Sequence, residues 1–359
     1  MNIEDLLRTA VSRQASDIHL RAGAPPMLRI DGHMQYMELP MLSPEKTRLG
    51  LYSLLSASQI QSFEAHKELD VSYQLEGLAR FRVNLLFAQG HVGAVLRVIP
   101  LDVPNLDQLA LSEQIKRFTQ ERTGLILVTG PTGSGKTTTL AGMIDFINTN
   151  QDKHIITIED PIEFVFSNKK SLITQREVSN DTDSFPNAIK YALRQDPNII
   201  LVGEMRDRET IAAALKAAET GHLVLSTLHT NDAVQTVSRI INAFEPHEQP
   251  IILEQLTNVL RGTVAQRLVV KKGGSGRVAI NEIMVVTPTV RDYLGKHELG
   301  VLYSLIDKGQ QDGMQSMNQD LFVHFQQEQI EFEEALSQSD NPNELLQWKR
   351  GAFHGAEHH

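Results

Sequence analysis

The apolar positions of the first hundred residues switch between helical and strand spacing. Apolar side chains recur at helical intervals over residues 2–14, and the helical segment 43–66 begins with a Ser-Pro pair typical of a helix N-terminus. Strand-like runs lie at 17–20, 27–30, 80–87 and 93–99, with turn residues near several of their ends. This pattern predicts a small α+β domain over residues 1–99.

A different pattern begins near residue 124. Strand-like apolar runs at 124–129, 154–159, 198–203 and 223–227 alternate with helical stretches, which is typical of a mainly parallel sheet covered by helices. The runs 266–272 and 277–286 indicate a hairpin, and helical spacing continues to about residue 350. We therefore predict an α/β domain over 116–350, a linker over 100–115 that contains Pro100 and Pro104, and a tail over 351–359.

Composition narrows the class of protein. The chain has 359 residues, a formal net charge of -10 and no cysteine. The negative charge argues against general nucleic-acid binding, and the lack of cysteine excludes disulfides, thiolate metal sites and cysteine nucleophiles. No apolar run reaches the ~18 residues that span a bilayer, and the N-terminus lacks a signal-peptide core. We expect no direct membrane insertion, so that contact with a membrane requires a partner.

The chemistry is concentrated after the first of these strands, in a glycine-rich loop that ends in Gly-Lys-Thr and leads into a helix. This is the P-loop pattern in its strand–loop–helix setting, in which backbone N–H groups and the helix N-terminus surround phosphate oxygens. Lys136 can reach the β- and γ-phosphates of ATP, and the Thr137 hydroxyl can ligate Mg²⁺. The predicted nucleotide-binding residues of the loop are Gly130, Pro131, Thr132, Gly133, Ser134, Gly135, Lys136, Thr137 and Thr138.

Hydrolysis also needs acids beside the phosphates. Glu159, Asp160 and Glu163 follow the strand 154–159, at the edge where parallel sheets place their ligands, and each could orient or deprotonate a water. The alternative is that they are solvated loop acids. Glu204 follows the strand 198–203, with Gly203 at the position where an aspartate usually precedes the acid. Glu204 would then serve Mg²⁺ alone, directly or through a water.

Two histidines and two arginines complete the set of candidates. His222 and His229 bracket the strand 223–227 and are either structural or sense the γ-phosphate. Arg82 and Arg97 lie on the predicted strands of the first domain, where Arg97 interrupts an apolar run. Because a buried unpaired charge is costly, we expect Arg97 to meet an anion, either a ligand or a carboxylate of its own domain.

These motifs, in this order, resemble the Walker A motif, Asp box, atypical Walker B motif and His box of the secretion ATPases. The segments 16–19, 29–32, 175–178 and 193–197 are similar to the PilT branch, the type IV pilus retraction ATPases. The resemblance covers nearly the whole chain to about residue 350. It implies a PAS-like N-terminal domain followed by a RecA-like P-loop ATPase domain with a C-terminal helical portion.

The resemblance further implies a hexameric motor that hydrolyses ATP with Mg²⁺ to retract pili in twitching motility. It assigns Glu163 as the catalytic glutamate and Glu204 as the Walker B acid, and has Arg82 and Arg97 reach an ATP site from a neighbouring chain or domain. The implied partners are other copies of the chain, an inner-membrane platform protein and a paralogous retraction ATPase. The implied location is the cytoplasmic face of the inner membrane.

Two departures from the family pattern affect the subtype. The stretch 289–296 keeps Arg291 but loses much of the sequence that retraction motors carry after the hairpin, so a PilU-like accessory motor is an alternative. The cysteine-bearing zinc insert of extension and secretion motors is absent from this sequence, which argues against the PilB and GspE branches. A nucleotide-binding regulator without turnover is a second alternative, and a P-loop kinase lacks support.

Overall fold

The computed structural model describes residues 2–30, 32–99, 103, 105–274 and 276–352, and it divides into two compact units. The first unit comprises Met1–Val103 with Pro161–Val165, and the second comprises Pro104–Asp160 with Phe166–His359. Pro100 and Pro104 of the predicted linker lie outside the described residues, as do residues 353–359 of the predicted tail. The rest of that linker from residue 105 belongs to the second unit, where Leu106 and Ile115 are buried.

The first unit is an antiparallel sheet with three helices. Its sheet has the strand order β3-β2-β1-β6-β5-β4, and its core is formed by the apolar faces of the sheet and of the helices. The elements are α1 (Ile3–Ser12), β1 (Asp17–Arg21), β2 (Met27–Ile30), β3 (His33–Tyr36), α2 (Pro44–Tyr52), α3 (Ala57–His66), β4 (Glu68–Leu75), β5 (Ala79–Ala88) and β6 (His91–Ile99).

The second unit is built on a seven-stranded, mainly parallel sheet with the order β13-β12-β7-β11-β10-β8-β9. Among the strands that the structure describes in this sheet, only the β12–β13 pair is antiparallel. Its elements are α4 (Glu113–Phe118), β7 (Gly124–Thr129), α5 (Lys136–Asn150), β8 (His154–Glu159), β9 (Leu172–Glu177), α6 (Phe185–Ala192), β10 (Ile199–Val202), α7 (Arg208–Glu219), β11 (Leu223–Leu228), α8 (Ala233–Ile241), α9 (Gln249–Val259), β12 (Leu260–Val270), β13 (Arg277–Val285), α10 (Pro288–Gly295), α11 (Leu302–Lys308), α12 (Met317–Gln326), α13 (Phe332–Gln338) and α14 (Pro342–Gln347).

Helices cover both faces of this sheet, so its central strands are buried throughout. Alternate residues of β7 pack on opposite faces of the sheet. Leu125 and Leu127 belong to the core that includes α7 and α9, whereas Ile126 and Val128 belong to the core that includes α4 and α5. A strand buried on both faces reads as a continuous apolar run, which is the pattern seen in the sequence. A further apolar cluster joins β12 and β13 to the C-terminal helices.

The structure confirms the predicted α/β class, the parallel sheet and the hairpin. Three strands had no clear counterpart in the sequence prediction: β3, β4 and β9. β12 also begins at Leu260 rather than at residue 266. Among the residues that the structure describes, none of the helices has the length and apolar content needed to cross a bilayer.

Candidate functional site

The P-loop connects the buried strand β7 to helix α5, as predicted. Gly130, Gly133 and Gly135 have φ angles of 139°, 80° and 87°, in the region that residues with a side chain rarely adopt. Gly135 is the N-cap of α5, so the free N–H groups of the first helical turn point towards the loop. The loop thus presents backbone donors and the positive end of a helix dipole together, which is the arrangement that binds phosphate.

Lys136 is the first residue of α5 and turns back into the loop that precedes it. Its side chain is buried, with 8% of the residue exposed. The Nζ atom donates to the carbonyl oxygens of Gly130 at 2.8 Å and of Pro131 at 2.9 Å. These backbone bonds hold the ammonium at the centre of the loop, where it can stabilise negative charge on a bound phosphate.

Four parallel strands bring the other candidates to the same edge of the sheet. In the order β7, β11, β10 and β8, these strands are neighbours, so the residues that follow them share the carboxyl edge. The P-loop follows β7, His229 follows β11, Glu204 follows β10, and Glu159 ends β8. The predicted convergence of these motifs is therefore a consequence of strand order.

Glu204 contacts two potential cations at this edge. Its Oε1 atom lies 2.7 Å from Nε of Arg206, and its Oε2 atom lies 3.7 Å from Nε2 of His229. The Glu204 side chain is 18% exposed and the His229 side chain 44% exposed, so the pair opens to solvent. His229 therefore lies beside an acid at the edge of the sheet that carries the P-loop.

His222 lies at the other end of the sheet. Leu223 pairs with Gly124 and Leu228 with Thr129, and the His222 carbonyl accepts the Gly124 N–H at 3.0 Å. At 3.3 Å per residue this puts His222 roughly 17 Å from the end of β7 where the P-loop begins. This position contradicts the interpretation that His222 senses the γ-phosphate at the P-loop of its own chain, and it favours the structural alternative, in which His222 Nδ1 contacts the Ala217 carbonyl at 3.0 Å.

The acidic turn after β8 contains three carboxylates with different surroundings. Glu159 is 6% exposed, and its Oε1 accepts hydrogen bonds from Thr157 at 2.7 Å and from Gln175 at 3.2 Å. Asp160 and Glu163 are exposed. Glu159 is thus held in place by its neighbours, whereas Glu163 belongs to the segment Pro161–Val165, which groups with the first unit.

Arg82 and Arg97 lie on the first unit, on β5 and β6. The expectation that Arg97 is buried is wrong: its side chain is 67% exposed, because Arg97 lies on the open face of β6. Its Nε donates to Oδ1 of Asp17 at 2.9 Å, which is the intradomain ion pair left open as an alternative. Arg82 is 41% exposed and lies 3.6 Å from a carboxylate oxygen of Asp70.

Two cavities adjoin the P-loop within the second unit. One, of about 520 Å³, is lined by loop residues 131–134 and by Arg277. The other, of about 590 Å³, lies beside Gly135 and Thr138 and is also lined by Leu268 and Arg277. The loop therefore has space next to it for the parts of a ligand that extend beyond a phosphate bound to its backbone.

Sequence reasoning did not identify two buried polar residues of the hairpin. Gln266 on β12 is 2% exposed and contacts the P-loop, and Glu282 on β13 is 4% exposed and accepts the Ala233 N–H at 2.8 Å. The signal was present, since Gln266 with Arg267 and Glu282 with Asn281 interrupt otherwise apolar parts of their strands. Their partners could not be read from it, because they depend on how the hairpin packs beside β7 and α8.

The donors at this edge suit a magnesium ion. Mg²⁺ prefers oxygen ligands, keeps several waters, and is usually held by one or two protein oxygens together with substrate phosphates. Thr137 is the second residue of α5, next to the phosphate loop, and the Glu204 carboxylate lies two strands away at the same edge. Both are oxygen donors, so the two residues predicted to hold the ion fit its chemistry.

Comparisons with known proteins agree over most of the chain. The family model described as Type II/IV secretion system protein matches residues 1–336. The type IV pilus retraction ATPase PilT of Pseudomonas aeruginosa is 46% identical over 318 residues, which cover 89% of this chain and 92% of that protein. The type IV pilus ATPase PilU of the same bacterium is 39% identical over 359 residues, which cover 100% of this chain and 94% of that protein.

A solved structure shares the architecture. The crystal structure of the pilus retraction motor PilT with bound ADP has a TM-score of 0.91 and 44% sequence identity to this chain. The match covers 97% of this chain and 99% of that one, and therefore includes both compact units.

Proposed function

The chain belongs to the Type II/IV secretion system protein family, and from that premise we propose that it is a motor ATPase that hydrolyses ATP to power the retraction of type IV pili. The observation that carries the proposal is the shared carboxyl edge of the second sheet. Four neighbouring strands end at this edge. They bring together the P-loop with its buried Lys136, the Glu204–His229 pair and the fixed carboxylate of Glu159. Relatives named as retraction ATPases support the biological role.

In this proposal the P-loop backbone and Lys136 bind and polarise the β- and γ-phosphates. Electrostatic stabilisation supplies most of the rate enhancement in phosphoryl transfer, and a buried ammonium is well suited to it. Thr137 and Glu204 would hold Mg²⁺, which neutralises charge on the phosphates when bound. His229, which faces Glu204, positions that carboxylate and responds to the phosphate beside it.

Glu163 is proposed as the group that orients and deprotonates the attacking water. It is exposed, and it follows the fixed Glu159 by four residues across the stiff Pro161 turn. The buried Glu159 has its hydrogen bonds to Thr157 and Gln175, which suits an orienting role better than proton transfer. Asp160 lies between them and belongs to the same turn.

The arginines Arg82 and Arg97 are proposed to complete the ATP site of a neighbouring chain in a homo-hexamer. Their guanidinium groups are partly or largely exposed, which an arginine supplied to another chain requires. The further partners we propose are an inner-membrane platform protein and a paralogous retraction ATPase. Both would place the motor at the cytoplasmic face of the inner membrane.

A PilU-like accessory motor is the second candidate. One observation favours it: the stretch 289–296, which contains all but the first residue of α10, departs from the sequence that retraction motors carry after the hairpin. A relative named PilU also aligns with the whole chain. An accessory motor would keep the same ATP chemistry but would depend on a partner motor to produce retraction.

Pilus retraction in a strain that has this chain as its only retraction ATPase tests the proposal. Retraction that is lost on Lys136→Ala supports an autonomous motor. Retraction only when a second retraction ATPase is supplied, and still dependent on the P-loop of this chain, supports the accessory motor. Retraction that does not change when this chain is deleted, with or without a second motor, contradicts both.

A further inference from the structure

We propose that Gln266 is a positioning residue that sets the geometry of the phosphate loop. This inference rests on the proposed function, because it assigns the residue a task in nucleotide binding. Gln266 lies on β12, one residue beyond the point where Ala265 pairs with Thr129 of β7. Only 2% of the residue is exposed.

The side-chain amide of Gln266 joins the loop to the helix that follows it. Nε2 donates to the Ser134 carbonyl at 2.7 Å, and Oε1 accepts from the Thr139 hydroxyl at 2.7 Å. The orientation of the amide follows from chemistry, since a carbonyl oxygen can only accept and must meet the NH₂ end. One buried side chain thus fixes both ends of the turn from the P-loop into α5.

The bond to Ser134 has a direct effect on a phosphate donor. The peptide unit between Ser134 and Gly135 is planar, so its C=O and N–H groups point in opposite directions. Holding the Ser134 oxygen towards Gln266 therefore aims the Gly135 N–H away from β12. Without that bond the peptide plane can rotate, and the N–H loses its fixed direction.

Two of the loop glycines are needed to make room for this residue. A Cβ atom on Gly130 would lie 2.2 Å from the backbone carbonyl oxygen of Gln266, and one on Gly135 would lie 2.8 Å from the side-chain Nε2 of Gln266. By contrast, a Cβ atom on Gly133 would have no heavy atom of the described residues within 4 Å. The first and last glycines of the loop are thus packed against Gln266, whereas Gly133 is favoured by its positive φ angle.

The test compares Gln266→Met with Asn148→Leu in the full-length protein. Asn148 is a buried amide near the C-terminal end of the same helix, where Nδ2 donates to Ser167 O at 2.8 Å and Oδ1 accepts from Lys169 N at 3.0 Å. Both variants remove two hydrogen bonds of a buried amide. The dissociation constant of ADP is measured by equilibrium titration, and the unfolding midpoint is measured without nucleotide.

We expect both variants to unfold at lower temperature, but only Gln266→Met to bind ADP more weakly, by about tenfold, because a buried carbonyl in the loop is left without its donor. An ADP affinity equal to that of wild type in Gln266→Met, at a lowered unfolding midpoint, overturns the positioning role. Failure of the wild-type protein to bind ADP would instead contradict the proposed function itself.

Two further variants test the positioning role of Gln266 if Gln266→Met does not fold. Thr139→Val removes one of the two bonds at constant shape and should weaken ADP binding about threefold. Gln266→Glu replaces the amide by a carboxyl group. The ionised carboxylate cannot donate a hydrogen bond to Ser134 O, whereas the protonated acid can. Its ADP affinity, relative to wild type, should therefore recover as the pH is lowered from 8 to 6. Wild-type affinity in both variants at every pH overturns the proposal.

Discussion

Arg82 and Arg97 lie directly opposite each other on the adjacent strands β5 and β6 of the first unit. Like charges in this position repel, so each guanidinium needs an anion nearby. Within the chain those anions are Asp70 and Asp17. Both pairs are partly open to solvent, where such ion pairs contribute little to stability. The two arginines are thus a cationic pair that a phosphate from another chain could engage.

The first prediction concerns this pair. The experiment mixes Lys136→Ala subunits with Arg97→Ala subunits in one ring. The Lys136→Ala chains retain both arginines, and the Arg97→Ala chains retain an intact P-loop. Each variant alone should be inactive, and mixing should restore part of the ATPase activity, because some interfaces then contain both intact halves. An arginine supplied in this way contributes ~10³–10⁵ in rate in related P-loop enzymes. Full activity of an Arg97→Ala monomer would reject a shared site.

The second prediction separates the two proposed acids. Glu163→Gln should bind ATP normally but turn it over ~10²–10⁴ times more slowly, because the amide keeps the shape and removes the base. Glu204→Gln should instead raise the Mg²⁺ concentration needed for half-maximal activity. Steady-state rates measured across a Mg²⁺ titration check both effects. If the two variants exchange these signatures, the two roles are reversed.

The third prediction follows from Glu282. Burial raises the pKa of this carboxyl to about 7, and the nearby Asp232 and Asp340 add to the rise, while the Ala233 N–H and Arg267 oppose it. Between about pH 4.5 and 7 the folded chain retains a proton that the unfolded chain releases. The stability contribution of the protonated acid is therefore present at low pH and is lost as the pH rises through 7.

Glu282→Gln should remove this pH dependence while keeping an acceptor for the Ala233 N–H. A shift from 4.5 to about 7 is 2.5 units, or about 3 kcal/mol at 1.36 kcal/mol per unit, as an order of magnitude. The variant should thus gain stability relative to wild type at pH 8 but not below pH 4.5. Urea unfolding followed by the fluorescence of Trp348, the one tryptophan, reports on the second unit. Parallel pH profiles of the two proteins would contradict the assignment.

The fourth prediction distinguishes the two histidines. His229 contacts Glu204 at the phosphate edge, whereas His222 lies at the opposite end of the same strand. Groups that orient a metal-side ligand typically contribute roughly 10- to 100-fold. His229→Ala should lower ATPase activity by about this factor, and His222→Ala should leave it near the wild-type rate. Equal losses of ATPase activity in His229→Ala and His222→Ala would contradict the role that the account gives to His229 at the phosphate edge.

Much of the fold could be predicted because local pattern and tertiary structure agree. The continuous apolar run at 124–129 predicts a strand buried on both faces, and β7 is buried throughout. The runs 80–87 and 93–99 predicted strands that carry Arg82 and Arg97, and the structure has these residues on the adjacent strands β5 and β6. In both cases the information lies within a short stretch of the chain.

The failures arise where the outcome depends on distant residues. β9 was missed because it is a half-exposed edge strand with few apolar residues, and only its pairing with β8 makes it a strand. Arg97 was expected to be buried because its neighbours are apolar, but the packing of the sheet leaves its face open. Gln266 could be recognised as unusual in its strand, yet its contact with the P-loop follows only from the β12–β7 pairing.

The most direct test of the account is the steady-state ATPase activity of the purified protein beside that of Lys136→Ala. Lys136 Nζ is held within the loop by Gly130 O and Pro131 O, and the account places it on the phosphates during hydrolysis. We predict Mg²⁺-dependent turnover by the wild-type chain and no turnover above background by a variant whose circular dichroism and unfolding midpoint show that it is folded. Activity of Lys136→Ala near the wild-type level, or a folded wild-type ring that binds ATP without hydrolysing it, would contradict the account.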